Sequence, residues 1–243
     1  MPNYCDNYLE VSGDIPELVE KFYQTARGKG LFWDENRVTR NTDEKKEEEP
    51  LDFSQFLYPK EVKGSFSEVG YHWCCDNWGT KWNAFDACCS WDNEYQSKNK
   101  FNISYSFTTA WSPMSEKLLK AMMKKFPSLR FEYQFNEPGV AFYGSSDQDG
   151  NIYIYDYLKD SEIQNVIDKL FDIGYYSFDN MEQIEESEED NKYLYRQECY
   201  EEVNEMYETL ICDSGSDHEI DAEELYNNII SMWEFEKQTT LKS

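Results

Sequence analysis

Alternating apolar and polar positions predict strands along much of the first 158 residues. Residues 8–11 alternate after a turn-forming stretch, and residues 101–107 carry Phe, Ile, Tyr and Phe at every second position. Residues 129–135 and 140–143 are also interpreted as strands. A period of two is typical of a strand with one buried face, so this pattern predicts a half-exposed sheet.

Two further stretches are interpreted as strands joined by turns. Residues 66–91 are rich in aromatic residues with polar positions between them, which predicts half-buried strands broken by a turn at residues 77–80. Residues 147–151 contain Asp-Gly between two strand patterns, a strong signal for a hairpin with residues 152–155 as its return strand. Half of a calcium loop is the weaker interpretation of the acidic residues at 147–151.

Two stretches with helical spacing interrupt the strands. Asp14 is predicted to cap a helix that has Pro16 in its first turn and continues through Tyr23. Ser112 and Pro113 are predicted to open a second helix, which Pro127 ends because proline lacks the backbone donor that a helix interior needs.

The order of these elements is strand, helix, two strands, helix, and two or three strands. This order predicts an α+β fold with an antiparallel sheet and both helices on one face. The two helical connections are long enough for the split βαβ arrangement of a ferredoxin-like fold.

The pattern becomes helical after Leu158. Residues 161–171, 191–212 and 222–235 each place apolar residues at helical spacing. The sequence therefore predicts a ferredoxin-like domain at 1–158, with an acidic loop near 34–50, followed by an acidic α-helical segment at 159–243.

Charge is distributed unevenly between these two parts. The net charge is −26, from 49 acidic and 23 basic residues. Residues 159–243 hold 24 acidic and 6 basic residues, whereas residues 1–158 hold 25 and 17. An acidic surface repels nucleic-acid phosphates and anionic membranes and attracts basic protein surfaces. The composition thus favours a basic protein as partner over nucleic acid or membrane, although solubility alone is a sufficient alternative explanation.

The start of the sequence, its apolar runs and its cysteines predict an intracellular protein. The start, Met-Pro-Asn-Tyr-Cys, lacks a signal-peptide pattern, and no apolar run approaches the roughly 20 residues that span a bilayer. Seven cysteines, with two adjacent pairs, suit a disulfide framework poorly. We therefore expect reduced thiols and a cytoplasmic location.

Four stretches resemble the Api92-like proteins of bacteriophages and plasmids, a family of unknown function with a ferredoxin-like domain. The stretches are residues 2–13, 77–84 and 109–113, together with Glu137, Gly139, Phe142 and Gly144. Tyr4 stands where the family usually has Trp, and Met114 where a second Pro is common. The resemblance covers about the first 145 residues and implies a mobile-element origin and this fold, in the cytoplasm of a bacterial host, but no activity.

One acidic stretch has the spacing of a calcium loop. Its candidate ligands occupy positions 1, 5, 7, 9 and 12 of an EF-hand loop, and they are Asp213, Asp217, Glu219, Asp221 and Glu224. Gly215 stands at position 3, where an acid is expected, and His218 at position 6, where glycine makes the sharp turn. The alternative is a helix–loop–helix in which Asp221 is an N-cap and Glu224 closes a capping box.

A zinc site is a second metal hypothesis. In a strand, His72 and Cys74 would point to one face and Cys75 to the other, and a cysteine from the pair Cys88 and Cys89 could join the first two. The Cys-x-x-Cys spacing of zinc knuckles is absent, so free cysteines acting as small apolar residues are the favoured interpretation.

Three tryptophans and a lysine offer a surface for stacking on bases. Trp78, Trp82 and Trp111 with Lys81 are the candidates, because aromatic side chains on such sheets can stack on nucleotides. The domain that contains them is itself acidic and lacks a basic cluster, so packing in the core is the favoured interpretation.

Taken together, these patterns predict an acidic binding protein without cofactor. The leading hypothesis is an anti-defence inhibitor that acts as a DNA mimic, filling the basic channel of a host nuclease or another nucleic-acid-binding protein. The candidate contacts are Glu185, Glu186, Glu188, Glu189, Asp190, Glu201, Glu202 and Glu205. The alternatives are a calcium-responsive regulatory module at 213–224 and an enzyme of unknown type on the sheet.

Overall fold

A computed structural model describes residues 3–91, 101–178, 188–213 and 219–240. The chain divides into two compact units, Met1–Tyr155 and Asp156–Ser243. No helix in these described ranges is both long enough and apolar enough to cross a bilayer.

The first unit is built on a six-stranded sheet. Its strands are β1 (Tyr4–Gly13), β4 (Phe85–Trp91), β5 (Phe101–Ala110), β6 (Arg130–Glu137), β7 (Phe142–Ser146) and β8 (Ile152–Asp156), and their spatial order is β4-β5-β1-β6-β7-β8. A separate hairpin pairs β2 (Leu31–Trp33) with β3 (Val38–Arg40). The helices of this unit are α1 (Pro16–Ala26), α2 (Tyr71–Trp78) and α3 (Glu116–Lys125).

The core of this unit consists of β1, α1, β4, β5, α3 and β6, which follow one another in the strand and helix order of a ferredoxin-like fold. The strand β1 lies at its centre and pairs antiparallel with β5 on one side and β6 on the other. Residues 27–84, which include β2, β3 and α2, are inserted between α1 and β4, and β7 and β8 extend the sheet beyond β6. The predicted α+β fold is therefore confirmed.

Both core helices pack on one face of the sheet. On β1 the alternate residues Leu9 and Val11 are fully buried, while Tyr8 on the opposite face is exposed. Phe22 of α1 is fully buried, and its ring contacts those of four partners. These partners are Phe56, Tyr105, Phe126 and Phe131, with centroids 5.2–5.9 Å away.

The helix starts differ from those predicted. The residue before α1 is Ile15 instead of Asp14, and no side chain caps this helix. The helix α3 begins three residues after Pro113, where the Ser115 hydroxyl accepts a hydrogen bond from the Leu118 amide at 3.1 Å. A serine at the N-cap satisfies a backbone donor that the first turn leaves unpaired, and this fixes the later start.

The prediction of strands throughout residues 66–91 is wrong in its first half. Residues 66–70 form a short π-helix that leads directly into α2, and only residues 85–91 form a strand. Cys74 and Trp78 are buried four residues apart, which is the spacing of a helix face. Gly79, with a φ of 81°, ends the helix in the left-handed conformation that glycine adopts without steric cost.

The predicted acidic loop near 34–50 contains a strand. Residues 38–40 form β3, and Glu49 forms an isolated antiparallel bridge with Gly28. The fully buried Asp52 anchors the end of this stretch, because its carboxylate accepts hydrogen bonds from the amides of Gly30 and Ser54.

The described residues of the second unit form three helices, at the three predicted places. They are α4 (Asp160–Asp172), α5 (Glu188–Asp213) and α6 (Ala222–Thr240), and α4 packs against both of the others. Apolar side chains at helical spacing form the contact: Ile163, Val166, Ile167, Leu170, Cys199, Val203, Tyr207, Ile211, Leu225 and Ile229. Arg196 of α5 pairs with Asp168 of α4 at 2.8 Å, and Lys169 of α4 with Glu223 of α6 at 3.5 Å.

Candidate functional site

The long helix α5 displays a stripe of carboxylates, here called the acidic stripe. Its members are the exposed residues Glu198, Glu201, Glu202, Glu205 and Glu208. They recur every three or four residues, so they share one side of the helix. Val203 and Tyr207, buried against the other helices, hold this orientation. Within the described ranges, no Lys or Arg forms an ion pair with a member of the stripe.

Only part of the predicted contact set lies in this stripe. Glu201, Glu202 and Glu205 are exposed on α5 and belong to it. Residues 188–190 form the first turn of α5, but their side chains lie outside the described residues, as do Glu185 and Glu186 entirely. Sequence reasoning did not include Glu198 and Glu208, although their spacing from Glu201 and Glu205 is visible in the chain.

A groove runs beside the acidic stripe, between α5 and α6. It has a volume of about 360 Å³, and apolar side chains from both helices form its floor. These are Met206 and Leu210 of α5 with Leu225, Ile229 and Met232 of α6. Glu202 and Glu205 line one edge, so two members of the acidic stripe border an apolar depression.

The acidic stretch predicted as a calcium loop leads into α6. Asp221 precedes the helix, and its Oδ1 accepts a hydrogen bond from the Glu224 amide at 2.8 Å, which is the contact of an N-cap. Asp217 and the side chain of Asp213 lie outside the described residues, and Glu219 is exposed. Among the described residues, no group of three or more His, Cys, Asp and Glu side chains could hold a metal ion.

The zinc hypothesis assumed a strand that the structure replaces by a helix. His72, Cys74 and Cys75 lie on α2, whereas Cys88 and Cys89 lie on β4. All five are described and form no metal-holding group. Cys74 is buried in the core, and burial raises the pKa of its thiol to about 12, so it stays protonated at neutral pH.

A buried polar network lies beneath one end of the sheet. The Asn7 side-chain amide donates to Thr109 Oγ1 at 3.0 Å and to the Cys5 carbonyl at 2.7 Å. The Tyr133 hydroxyl donates to Asn7 Oδ1 at 2.5 Å and accepts from the Met114 amide at 2.9 Å. Burial raises the pKa of Tyr133 well above its usual range and that of Cys5 to about 12, so both groups are neutral at physiological pH. The network therefore orders the strand ends and offers no reactive thiolate.

An aromatic cluster surrounds Lys81 and is partly exposed. Lys81 Nζ lies 4.7 Å from the ring centroid of Trp82 and 5.0 Å from that of Trp111, a cation–π arrangement. Trp111 is 42% exposed, and Tyr4, which pairs with the preceding residue Ala110, is 50% exposed. The interpretation of the tryptophans as core residues is correct for Trp78, which is 2% exposed, and wrong for Trp111.

Backbone strain is concentrated at the same end of the sheet. Asp86, Trp111 and Ala141 are the non-glycine residues with positive φ in the described ranges, at 50°, 68° and 64°. A bulky residue in this conformation costs about 1–2 kcal/mol. Trp111 therefore holds an exposed aromatic ring at an energetic cost, which marks a second candidate contact surface.

Replacing Trp111 by glycine should change the free energy of unfolding by less than about 1 kcal/mol. Relief of backbone strain offsets the lost contact with Lys81 and the greater freedom of glycine in the unfolded chain. The matched change Trp78→Ala removes a buried ring and should cost about 3–5 kcal/mol. Urea denaturation followed by circular dichroism compares the two. Equal losses would show that Trp111 has a structural role.

The relation to known proteins rests on a family comparison. The family model described as the ferredoxin-like domain in Api92-like protein matches residues 90–213, about half of the chain. The chain belongs to this family. The predicted resemblance is thus confirmed. The match runs from the last two residues of β4 to the end of α5, so it includes the stretches at 109–113 and 137–144 but begins after those at 2–13 and 77–84.

This Api92-like protein is also distantly similar to a solved structure. It is similar to the crystal structure of protein Api92 from Yersinia pseudotuberculosis, with 9% identity, 65% of this chain and 99% of that chain covered, and a TM-score of 0.43. No curated protein matches the chain.

Proposed function

We propose that this Api92-like protein is a binding protein whose acidic stripe docks on the basic surface of a nucleic-acid-binding protein in the cytoplasm of a bacterial host. A nuclease of host defence is the favoured target class. The bound stripe takes the place of nucleic acid and so inhibits the target. The observation that carries the proposal is the exposed run of carboxylates from Glu198 to Glu208.

The charge density of the acidic stripe supports this proposal. Ten residues of α-helix span about 15 Å, and the stripe places five carboxylates over that length. One strand of DNA carries a negative charge about every 3.4 Å. The density of negative charge along the acidic stripe is therefore similar to that along a DNA strand. Lys169 pairs with Glu223 of α6, and Arg196 pairs with Asp168 of α4. Neither of these two cations therefore neutralises a carboxylate of the stripe.

Neutralising three members of the stripe should weaken capture of the target about tenfold to hundredfold. The variant is Glu201→Gln, Glu205→Gln and Glu208→Gln, which removes charge without changing size. Each charged contact to a basic surface contributes on the order of 1 kcal/mol. The measurement is the amount of nucleic-acid-binding protein that the immobilised chain captures from bacterial lysate, quantified by mass spectrometry.

A matched control separates local from overall charge. Glu35→Gln, Glu61→Gln and Glu132→Gln change the net charge equally at exposed positions of the first unit. This control should bind as the wild type does, and duplex DNA should release the captured protein in competition. Equal capture by both triple variants, or recovery of no basic nucleic-acid-binding protein at low salt, contradicts the proposal.

A further inference from the structure

The groove between α5 and α6 has the repeat of a helix-binding surface. On α6 the floor residues Leu225, Ile229 and Met232 are separated by four and three residues, so they line about 10 Å of one helix face. Met206 and Met232 supply long, unbranched side chains, which adapt to different apolar partners. An amphipathic helix presents its apolar residues with this same repeat.

The polar side chains of the groove are of two kinds: donors that already bond within their own helices, and carboxylates at the edge. Thr209 donates its hydroxyl to the Glu205 carbonyl, and the Asn228 side chain donates to the Glu224 carbonyl, both at 2.9 Å. These two donors are therefore occupied within their own helices. The carboxylates of Glu202 and Glu205 remain at the edge, with no ion pair to a described Lys or Arg.

We infer that this groove binds an amphipathic, cationic helix of the partner protein. Apolar side chains of that helix fill the floor, and its lysine or arginine side chains pair with Glu202 and Glu205. This inference rests on the proposed function and deepens it, because it assigns the partner a secondary structure and a second, apolar component of recognition.

Charge complementarity selects this occupant. A second copy of the chain carries a net charge of −26 and would bring like charges to the acidic edge. An anionic or neutral ligand would leave the two carboxylates unpaired as the groove closed over them, which is costly. A helix with cationic side chains beside its apolar face can form ion pairs with these carboxylates and, at the same time, cover the methionines of the floor.

The test uses a labelled peptide of leucine and lysine, about 18 residues long so that it can form a helix. Leucine occupies positions with helical spacing in one peptide, and a scrambled peptide keeps the composition and charge. Binding to the full chain is followed by fluorescence anisotropy at about 0.05 and 0.15 M NaCl, where charge interactions are only partly screened. We expect the amphipathic peptide to bind at least about tenfold more tightly than the scrambled one.

Two pairs of substitutions locate the binding. Met206→Gln with Met232→Gln changes partly exposed floor residues and should reduce affinity for the amphipathic peptide about tenfold or more, because binding removes these apolar side chains from water. Phe32→Gln with Val140→Gln changes exposed apolar residues of the first unit and should have no effect. Unchanged helical circular dichroism of each variant confirms that it is folded.

The outcomes distinguish the two proposals. One result would overturn the proposal of groove binding and keep that of the acidic stripe. In it both peptides bind equally, the methionine substitutions have no effect, and neutralising the acidic stripe weakens the binding of both peptides. If the amphipathic peptide does not bind the wild-type chain at low salt, the groove is overturned directly. If the wild-type chain prefers the amphipathic peptide and the methionine substitutions abolish this preference, the proposal of groove binding is supported. This holds whichever proteins the immobilised chain captures from lysate.

Discussion

Phe22→Ala should lower the free energy of unfolding of the first unit by about 3–5 kcal/mol. Phe22 is fully buried, and its ring contacts rings from the insertion, from β5, from the end of α3 and from β6. Removing a buried phenyl ring loses its transfer free energy and leaves a cavity. Because four aromatic neighbours surround this ring, one stacked contact and three edge contacts are lost as well.

Urea denaturation followed by tryptophan fluorescence measures this effect. Six of the seven tryptophans lie in residues 1–155, so the signal reports mainly on the first unit. The neighbouring change Lys21→Ala removes an exposed side chain of the same helix and should shift stability by less than about 0.5 kcal/mol. A loss below about 1 kcal/mol for Phe22→Ala would mean that α1 does not pack on the sheet as described.

Asn7→Leu should cost about 2–4 kcal/mol, the second large effect. The change removes an amide that donates to Thr109 and to the Cys5 carbonyl, and it leaves the buried Tyr133 hydroxyl without its acceptor. A buried polar group that loses its partner costs about 1–3 kcal/mol, and here more than one group is affected. The exposed neighbour Asp6, changed to Ala, should have an effect below about 0.5 kcal/mol.

A double-mutant cycle tests whether Asn7 and Tyr133 act together. Tyr133→Phe removes the hydroxyl, so it should cost less in the Asn7→Leu background than in the wild type. We expect a coupling free energy of about 0.5 kcal/mol or more, since the two side chains are directly hydrogen-bonded. Strict additivity would indicate that the network does not hold the strand ends as a unit.

The sequence predicted most of the fold because its periodic segments are long. The alternation in β5 and the helical spacing in α4 and α6 each arise from one buried face, and a buried face leaves a direct trace in the chain. Residues 66–78 were misinterpreted because aromatic residues favour strands by propensity, while Cys74 and Trp78 pack as a helix face in the folded insertion. Tertiary packing decided between two patterns that a short segment satisfies equally.

The candidate sites were predicted only in part, for a different reason. The acidic stripe follows from spacing along one helix, so Glu201, Glu202 and Glu205 were accessible to sequence reasoning. The groove depends on how α5 and α6 are placed side by side, and no local pattern contains that information. The exposure of Trp111 depends on its positive φ after β5, which its side-chain chemistry gives no reason to expect.

The position of β1 at the centre of the sheet has a consequence for synthesis on the ribosome. Leu9 pairs with Tyr105 and with Tyr133, about 100 and 125 residues later in the chain. β1 therefore emerges long before either of its neighbours, and one of its edges stays unpaired until β6 has left the ribosome. Such long-range pairing folds slowly and exposes strand edges to aggregation, so this domain should depend on nascent-chain chaperones more than its size indicates.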